Sequence, residues 1–138
     1  MLEIILFKPS HLADIDPPKL LREPMRLFAM AYRHRGPALT FVEDGRVLGC
    51  FGLIIDGREA RVWAFLSSLL RNRPLALHRM VKRTLPKLKR HYGLDSILAE
   101  AHPDHRASRC WLERLGFRFD GVAQRCPIVG ERHLRYVY

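Results

Sequence analysis

Apolar and β-branched residues dominate the segment PALTFVEDGRVLGCFGLIIDGREARVWAFLSSL, which two Asp-Gly pairs divide, Asp44-Gly45 and Asp56-Gly57. An Asp-Gly pair favours a hairpin turn, because glycine accepts a positive φ without strain. The pattern therefore predicts three antiparallel strands, at about 38–43, 46–55 and 60–67.

Two glycines, Gly49 and Gly52, lie inside the middle strand, where they have no side chain to pack. Glycine at such a position indicates a β-bulge or a close approach to the backbone. The commoner explanation for such glycines is that both positions are kept small beneath a packed helix, so both interpretations stay open.

A basic amphipathic helix is predicted in the segment RNRPLALHRMVKRTLPKLKRHYG. Its apolar residues recur at helical spacing, at Leu77, Val81, Leu85, Leu88 and Tyr92. Pro74 fits the first turn, where a missing N–H is harmless, and Gly93 fits the end. Pro86 lies inside the pattern and is expected to kink or split the helix, at a cost of about 3 kcal/mol.

The rest of the pattern completes an order that alternates strands and helices. The remaining predicted elements are a strand at 1–7, short proline-broken helices within 11–35, a strand at 96–101, a helix ending at Leu115, and strands at about 117–124 and 132–138. Asp104 is the expected N-cap of the last helix, and Gly116 its stop. This order predicts a mixed α/β protein.

Composition adds size, charge and compartment. A chain of 138 residues with 48% apolar content indicates one globular domain, 1–138. The net charge of +10 favours an anionic partner: a phosphate ligand, a nucleic acid, an anionic lipid or an acidic protein. Three widely spaced cysteines fit a reducing cytosol better than a disulfide framework or a zinc site. The first apolar run is too short for a signal peptide and no stretch is long enough to span a bilayer, so we expect a soluble cytoplasmic protein.

Two stretches carry a resemblance to a known superfamily. GRVLGCFGL, at 45–53, resembles a strand of the GNAT superfamily of N-acetyltransferases, and AEAHPDHRASRCWLERLGF, within 98–117, resembles its C-terminal strand, loop and helix signature. The resemblance implies a single-domain α/β fold of the GNAT type, with a mixed central sheet flanked by helices. It also implies an N-acyltransferase that uses acetyl-CoA or CoA and an amine substrate.

In that superfamily a glycine-rich loop before a helix wraps the CoA pyrophosphate, since glycine lets backbone N–H groups approach phosphate oxygens. The corresponding residues here run from Arg71 to Ala76, and Pro74 replaces the first glycine. Arginine side chains at the loop offer charge-assisted contacts in its place. By resemblance, the residues expected to bind the cofactor are Leu66, Ser67, Arg71, Asn72, Arg73, Leu75, Ala76, Arg79 and His105.

Acetyl transfer needs a base for the amine and a proton for the leaving thiolate. Glu100 is the expected base, with His102 as the alternative on the same strand face. The superfamily often places a proton-donating tyrosine at the position of Leu112. Ser108, one turn earlier on the same helix face, is the expected substitute, with Cys110 on the adjoining face as the alternative.

Plainer interpretations stand beside these. Glu100 is also expected to pair with a basic neighbour, Ser108 to pack as a small residue, and Cys110 to be inert, because no motif activates it. His102 and His105 lie too close in one loop to make a convincing metal site.

A second hypothesis is a catalytically silent GNAT-fold module. No acidic residue lies between Glu59 and Asp95, so the basic helix 71–91 is able to bind an anionic protein or nucleic acid surface. Leu112 and the basic helix also resemble the internal-virion-protein-A-like GNAT proteins of bacteriophages, which implies a viral protein of the host cytoplasm or virion. A sequence-specific nucleic-acid binder is disfavoured, because no base-reading motif is present.

Overall fold

A computed structural model describes residues 2–15, 27, 30–31, 34–67, 74–125 and 132–138. The strands among them are β1 (Leu2–Leu6), β2 (Ala38–Glu43), β3 (Arg46–Asp56), β4 (Glu59–Leu66), β5 (Ser96–Ala101), β6 (Arg118–Arg125) and β7 (Arg132–Val137). The helices are a 3₁₀ helix (Pro9–Asp14), α1 (Pro74–His91) and α2 (Arg106–Leu115). The other short helices predicted within 11–35 fall largely outside the described residues.

The strands form one seven-stranded sheet in the order β1-β2-β3-β4-β5-β7-β6. β4 and β5 pair in parallel, whereas the pairs β1/β2, β2/β3, β5/β7 and β6/β7 are antiparallel. The predicted α/β fold with a mixed sheet flanked by helices is confirmed. The single domain expected over 1–138 stays a prediction. In the described part of the chain, no helix has the length and apolar character that crossing a membrane requires.

The chain divides into two compact units, of which the first comprises Met1–Ile54 and Trp63–Leu77. Its core is apolar, with Phe41 stacked on Phe51 at 4.7 Å between ring centroids. The β2–β3 register passes from Phe41↔Gly49 to Val42↔Val47, so one residue of β3 bulges beside Gly49. The bulge predicted from the glycines is therefore confirmed.

Gly52 provides the close approach that the sequence pattern also indicated. A Cβ atom at this position would lie 2.6 Å from the carbonyl oxygen of Pro37 and 2.6 Å from ring atoms of Trp63. Real Cβ atoms do not tolerate such distances, so this strand position accepts only glycine as the neighbours stand.

The second unit comprises Ile55–Val62 and His78–Tyr138. Its core includes Leu112 and Leu115 of α2, Ile97 and Ala99 of β5, and the fully buried Tyr136 of β7. The apolar side of α2 therefore contributes to the core.

The ends of both helices follow local backbone chemistry. Gly93 has a φ of 61° and donates its N–H to the carbonyl of Arg90, which ends α1 where predicted. Gly116 has a φ of 107° and ends α2, also as predicted.

Two local predictions are wrong or incomplete. The N-cap residue of α2 is His105, and the N–H of Asp104 instead donates to Nδ1 of His102 at 3.1 Å within the loop. The helix α1 is not split, since it continues through Pro86 as one element. Pro86 has no N–H to donate to the carbonyl of Lys82, so the helix continues without that one hydrogen bond.

Candidate functional site

The candidate site begins where β5 ends and α2 starts. His105 is the N-cap residue, and its Nδ1 is hydrogen-bonded to Oγ of Ser108 in the first turn. His105 is exposed and Ser108 is half-buried. Ser108 precedes the buried Leu112 by one turn on the same helix face. The structure thus joins two predicted site residues, one expected in catalysis and one in cofactor binding.

Glu100 lies on the other face of the sheet. Ala99 of β5 pairs with Tyr136 of β7, whose hydroxyl oxygen accepts a hydrogen bond from Nε of Arg109 in α2 at 3.3 Å. Ala99 and Tyr136 therefore face α2, and strand alternation turns the next pair, Glu100↔Arg135, to the opposite face. The predicted base and the predicted proton donor approach the end of β5 from opposite sides.

The Glu100 side chain is only 18% exposed, and its Oε1 lies 4.0 Å from Nε of Arg61 in β4. The plainer interpretation, in which Glu100 pairs with a basic neighbour, thus describes the structure. At 4.0 Å the two groups are in electrostatic contact without a hydrogen bond.

A second histidine, His133 of β7, stands beside His102, with ring centroids 5.7 Å apart in an edge-to-face arrangement. The sequence pattern did not indicate a role for His133. The only signal that places it near His102 is the antiparallel β5–β7 register, which pairs Ala101 with Leu134 one step earlier. Two imidazoles therefore extend the polar face that holds Glu100.

The predicted cofactor-binding residues have unequal surroundings. Leu75 is 70% exposed and Arg79 is exposed. Leu66 and Ala76 are half-buried. Ser67 is buried, and its N–H donates to the carbonyl of Leu48 at 2.8 Å, so that N–H is already used within the protein. Arg71, Asn72 and Arg73 lie outside the described residues.

A hydrogen bond ties the two helices together within the second unit. Nε1 of Trp111 in α2 donates to Nδ1 of His78 in α1 at 3.2 Å. Because His78 accepts at Nδ1, its neutral ring carries the proton on Nε2. This contact fixes the helix of Ser108 against the helix that follows the predicted phosphate loop.

Neither described cysteine has an arrangement that suits a nucleophile. Burial raises the pKa of the Cys50 thiol to about 11, against an opposing hydrogen bond from Thr40. Cys110 is a free, half-buried thiol. Among the described residues, no three His, Cys, Asp or Glu side chains come close enough together to hold a metal ion.

Comparison with known proteins identifies the fold. No family model and no curated protein matches the sequence. Solved structures that match nearly the whole chain include the following three. A GNAT-family acetyltransferase from Streptococcus pneumoniae is 14% identical with a TM-score of 0.69, covering 100% of this chain and 99% of its own. A ribosomal-protein-S5-alanine acetyltransferase from Vibrio fischeri is 15% identical with a TM-score of 0.70, covering 99% and 92%. A mutant of the spermidine N-acetyltransferase SpeG from Vibrio cholerae is 14% identical with a TM-score of 0.73, covering 99% and 92%.

The chain therefore has the GNAT acetyltransferase fold, which confirms the fold that the two sequence stretches resembled. None of these three is a bacteriophage protein, so the finer resemblance to the virion group stays a prediction. At 14–15% identity the likeness carries the architecture, and the chemistry has to be argued from the residues of this chain.

Proposed function

We propose that the protein is an N-acetyltransferase that moves an acetyl group from acetyl-CoA to an amine. The observation that carries the proposal is the hydrogen-bonded pair His105–Ser108, one turn from Leu112. A hydroxyl with an imidazole behind it supplies a proton source on the helix face where the tyrosine of the superfamily is missing. Glu100, on the other face of β5, supplies a carboxylate for the amine.

In the proposed reaction an ammonium group loses two protons on becoming an amide. Glu100 takes the first and passes it to water, which frees the nitrogen lone pair, and it accepts the second once the nitrogen has attacked the thioester carbonyl. Ser108 donates its hydroxyl proton to the sulfur as the carbon–sulfur bond breaks, and His105 returns a proton to Ser108. A general acid or base of this kind contributes about 10²- to 10⁴-fold in rate.

CoA binding is proposed at the start of α1. The exposed Leu75 and Arg79 of its first two turns suit a ligand with an apolar arm and phosphates, and Ala76 leaves room beside them. The loop residues Arg71, Asn72 and Arg73 are proposed as phosphate ligands from the sequence, and Leu66 and Ser67 by resemblance. The N–H of Ser67 is not part of this proposal.

The first test is whether CoA binds. Calorimetry or the thermal midpoint should show specific stabilisation by CoA, about 2.7 kcal/mol when the ligand is at 100 times its Kd. Arg71→Glu together with Arg73→Glu should abolish it. The matched control is Arg83→Glu with Lys87→Glu, which removes the same charge farther along α1. Equal loss in both double variants indicates non-specific attraction to the basic helix, and no stabilisation at millimolar CoA refutes the proposal.

A second candidate is a non-catalytic GNAT-fold module. It would use its basic residues 71–91 to bind the anionic surface of a protein or nucleic acid. The specific observation in its favour is Leu112, only 8% exposed, which puts an inert side chain in the core at the tyrosine position. The comparisons with solved structures do not support a protein or nucleic acid surface as the binding partner. CoA binding without acetyl transfer to a broad panel of amines, which includes the spermidine named for one neighbour, would favour this candidate.

A further inference from the structure

Arg61 and Glu100 form an ion pair without a direct hydrogen bond. Charge-assisted hydrogen bonds between arginine and a carboxylate measure about 2.7–2.9 Å, whereas Nε of Arg61 stays 4.0 Å from Oε1 of Glu100. Glu100 is the only acidic partner of Arg61 among the described residues. The guanidinium donors and the carboxylate oxygens therefore both keep hydrogen-bonding capacity for a ligand.

The exposure of the two side chains shows which of them is open to solvent. The Arg61 side chain is 54% exposed, and the Glu100 side chain is 18% exposed. An approaching molecule meets the guanidinium first and the carboxylate beneath it. The parallel register pairs Arg61 with Leu98, whose face of β5 also holds Glu100, so both charges lie on one face of the sheet.

The neighbouring charges work against a polycationic ligand, because the other acidic groups of this face already have partners. Glu59, two residues before Arg61, accepts a hydrogen bond from Oγ of Ser96 at 3.5 Å. Arg135, the cross-strand partner of Glu100, is a second guanidinium on this face, and it is held at 3.0 Å by Asp120. Asp120 is thereby occupied, and the whole chain carries a net charge of +10. A ligand with several ammonium groups places only one of them against Glu100 and brings the others near arginines.

We infer that the acceptor is an amine that carries its own anionic group next to the nitrogen, as a free α-amino acid does. The ammonium group of such a zwitterion binds the carboxylate of Glu100, and its carboxylate takes the guanidinium fork of Arg61. Arg61 is then the specificity-determining residue of the acceptor site. This inference rests on the proposed function, because it assigns Glu100 to the amine.

The test uses pairs of acceptors that differ only in the carboxylate. Each of a panel of L-amino acids is compared with its decarboxylated amine, such as L-leucine with isoamylamine, in a coupled assay for free CoA. The wild-type protein should show a kcat/KM at least about tenfold higher for the best amino acid than for its amine. Arg61→Gln should raise the KM for that amino acid about 10- to 100-fold and leave the KM for the amine unchanged. Arg61→Lys should restore part of the loss.

The control is Arg58→Gln, on the turn between β3 and β4. Arg58 is an exposed arginine in an ion pair with Asp95 at 2.9 Å, and this variant should leave all constants unchanged. Spermidine used as well as or better than any amino acid would overturn the inference. The inference would also be overturned if Arg61→Gln raised the KM for the amino acid and for its decarboxylated amine by the same factor.

Binding gives an answer even when no acetyl transfer is measured. Saturation-transfer NMR should show the amino acid bound to the wild-type protein and not to Arg61→Gln, with isoamylamine weak in both. Amino-acid binding in the absence of a CoA effect leaves the inferred site in place and refutes only the proposed reaction. No amino acid of the panel bound by the wild-type protein, or equal binding by Arg61→Gln, overturns the inference whether or not CoA binds.

Discussion

Deprotonation of Cys50 is expected to destabilise the fold. The thiol is fully buried in the first unit, and its Sγ lies 3.6 Å from Oγ1 of Thr40. Thr40 is in turn 2.8 Å from Nδ1 of His11, which already accepts the N–H of Lys8. While the thiol is neutral, the Thr40 hydroxyl donates to His11 and its oxygen accepts the S–H of Cys50. On ionisation the hydroxyl is able to donate to the sulfur instead, which offsets part of the cost, but the thiolate stays shielded from water.

The magnitude follows from the pKa. Burial, reinforced by the nearby charge of Asp14, raises the pKa of Cys50 from an ordinary 9.0 to about 11. A raised pKa means that the folded state keeps the proton longer than the unfolded state. The stabilisation is thus complete below about pH 9 and is lost as the pH rises through 11. At about 1.36 kcal/mol per pKa unit, the loss is about 3 kcal/mol above pH 11 and about 2 kcal/mol at pH 10.5.

Denaturant unfolding at pH 7.5 and pH 10.5 gives the free energy of unfolding of the wild-type protein and of Cys50→Ala. The difference between the two proteins cancels the titration of the groups they share. Cys50→Ala is less stable than the wild-type protein at pH 7.5 because it leaves a cavity. The stability gap between them should narrow by about 2 kcal/mol at pH 10.5, since the variant has no thiol to ionise. Cys110→Ala, which removes the other described thiol, serves as the control. A gap for Cys50→Ala that is equal at both pH values would refute the reasoning.

Three further substitutions, together with Gly57→Ala as a comparison, test local packing. Gly52→Ala should destabilise by about 1–3 kcal/mol, because its Cβ meets a backbone oxygen and an indole ring at 2.6 Å; Gly57→Ala, with open space at Cβ, should cost only the about 1–2 kcal/mol of its positive φ. Trp111→Phe removes the donor to His78 and should lower the free energy of unfolding, measured in denaturant, by about 1 kcal/mol. An unchanged free energy of unfolding would show that the packing of the two helices does not depend on this bond. Leu112→Tyr should destabilise by about 1–3 kcal/mol through overpacking and should not raise the acetyl-transfer rate; a faster variant would show that the position still serves as a donor site.

The elements that sequence predicted best are those whose signals are local. The strands at 38–43 and 96–101 have the predicted bounds. The first Asp-Gly pair takes φ values of 51° and 78°, as a tight hairpin turn requires. Gly93 and Gly116 end their helices with positive φ. In each case a few neighbouring residues determine the backbone conformation, so a single sequence is sufficient to predict these strands, turns and helix ends.

The loop before α2 shows where local signals mislead. Aspartate is a good N-cap residue and histidine is a poor one, so the sequence favoured Asp104. In the folded chain the N–H of Asp104 is bonded to the ring of His102, and the helix starts one residue later, after His105. Because His105 takes the N-cap position, Ser108 becomes the N3 residue, and the side chains at these two positions meet across the first turn. A one-residue difference in the cap thus decides which side chains meet.

The rest of the candidate site depends on register between distant segments. Arg61 meets Glu100 because β4 and β5 pair in parallel, and His133 meets His102 because β5 and β7 pair antiparallel. No spacing within the sequence encodes either contact, since the strands involved are separated by whole helices or loops.

The opposite placement of Glu100 and Ser108 also bears on the missing tyrosine. In the proposed reaction the proton donor for the thiolate lies on the α2 face, and the proposed amine-binding group, Glu100, lies on the other face with Arg61. The substitution by Leu112 therefore affects only the donor side and leaves the proposed acceptor side intact. On the donor side, Ser108 stands one turn away with His105 bonded to it, so a hydroxyl and a titratable imidazole remain on the face that lost its phenol.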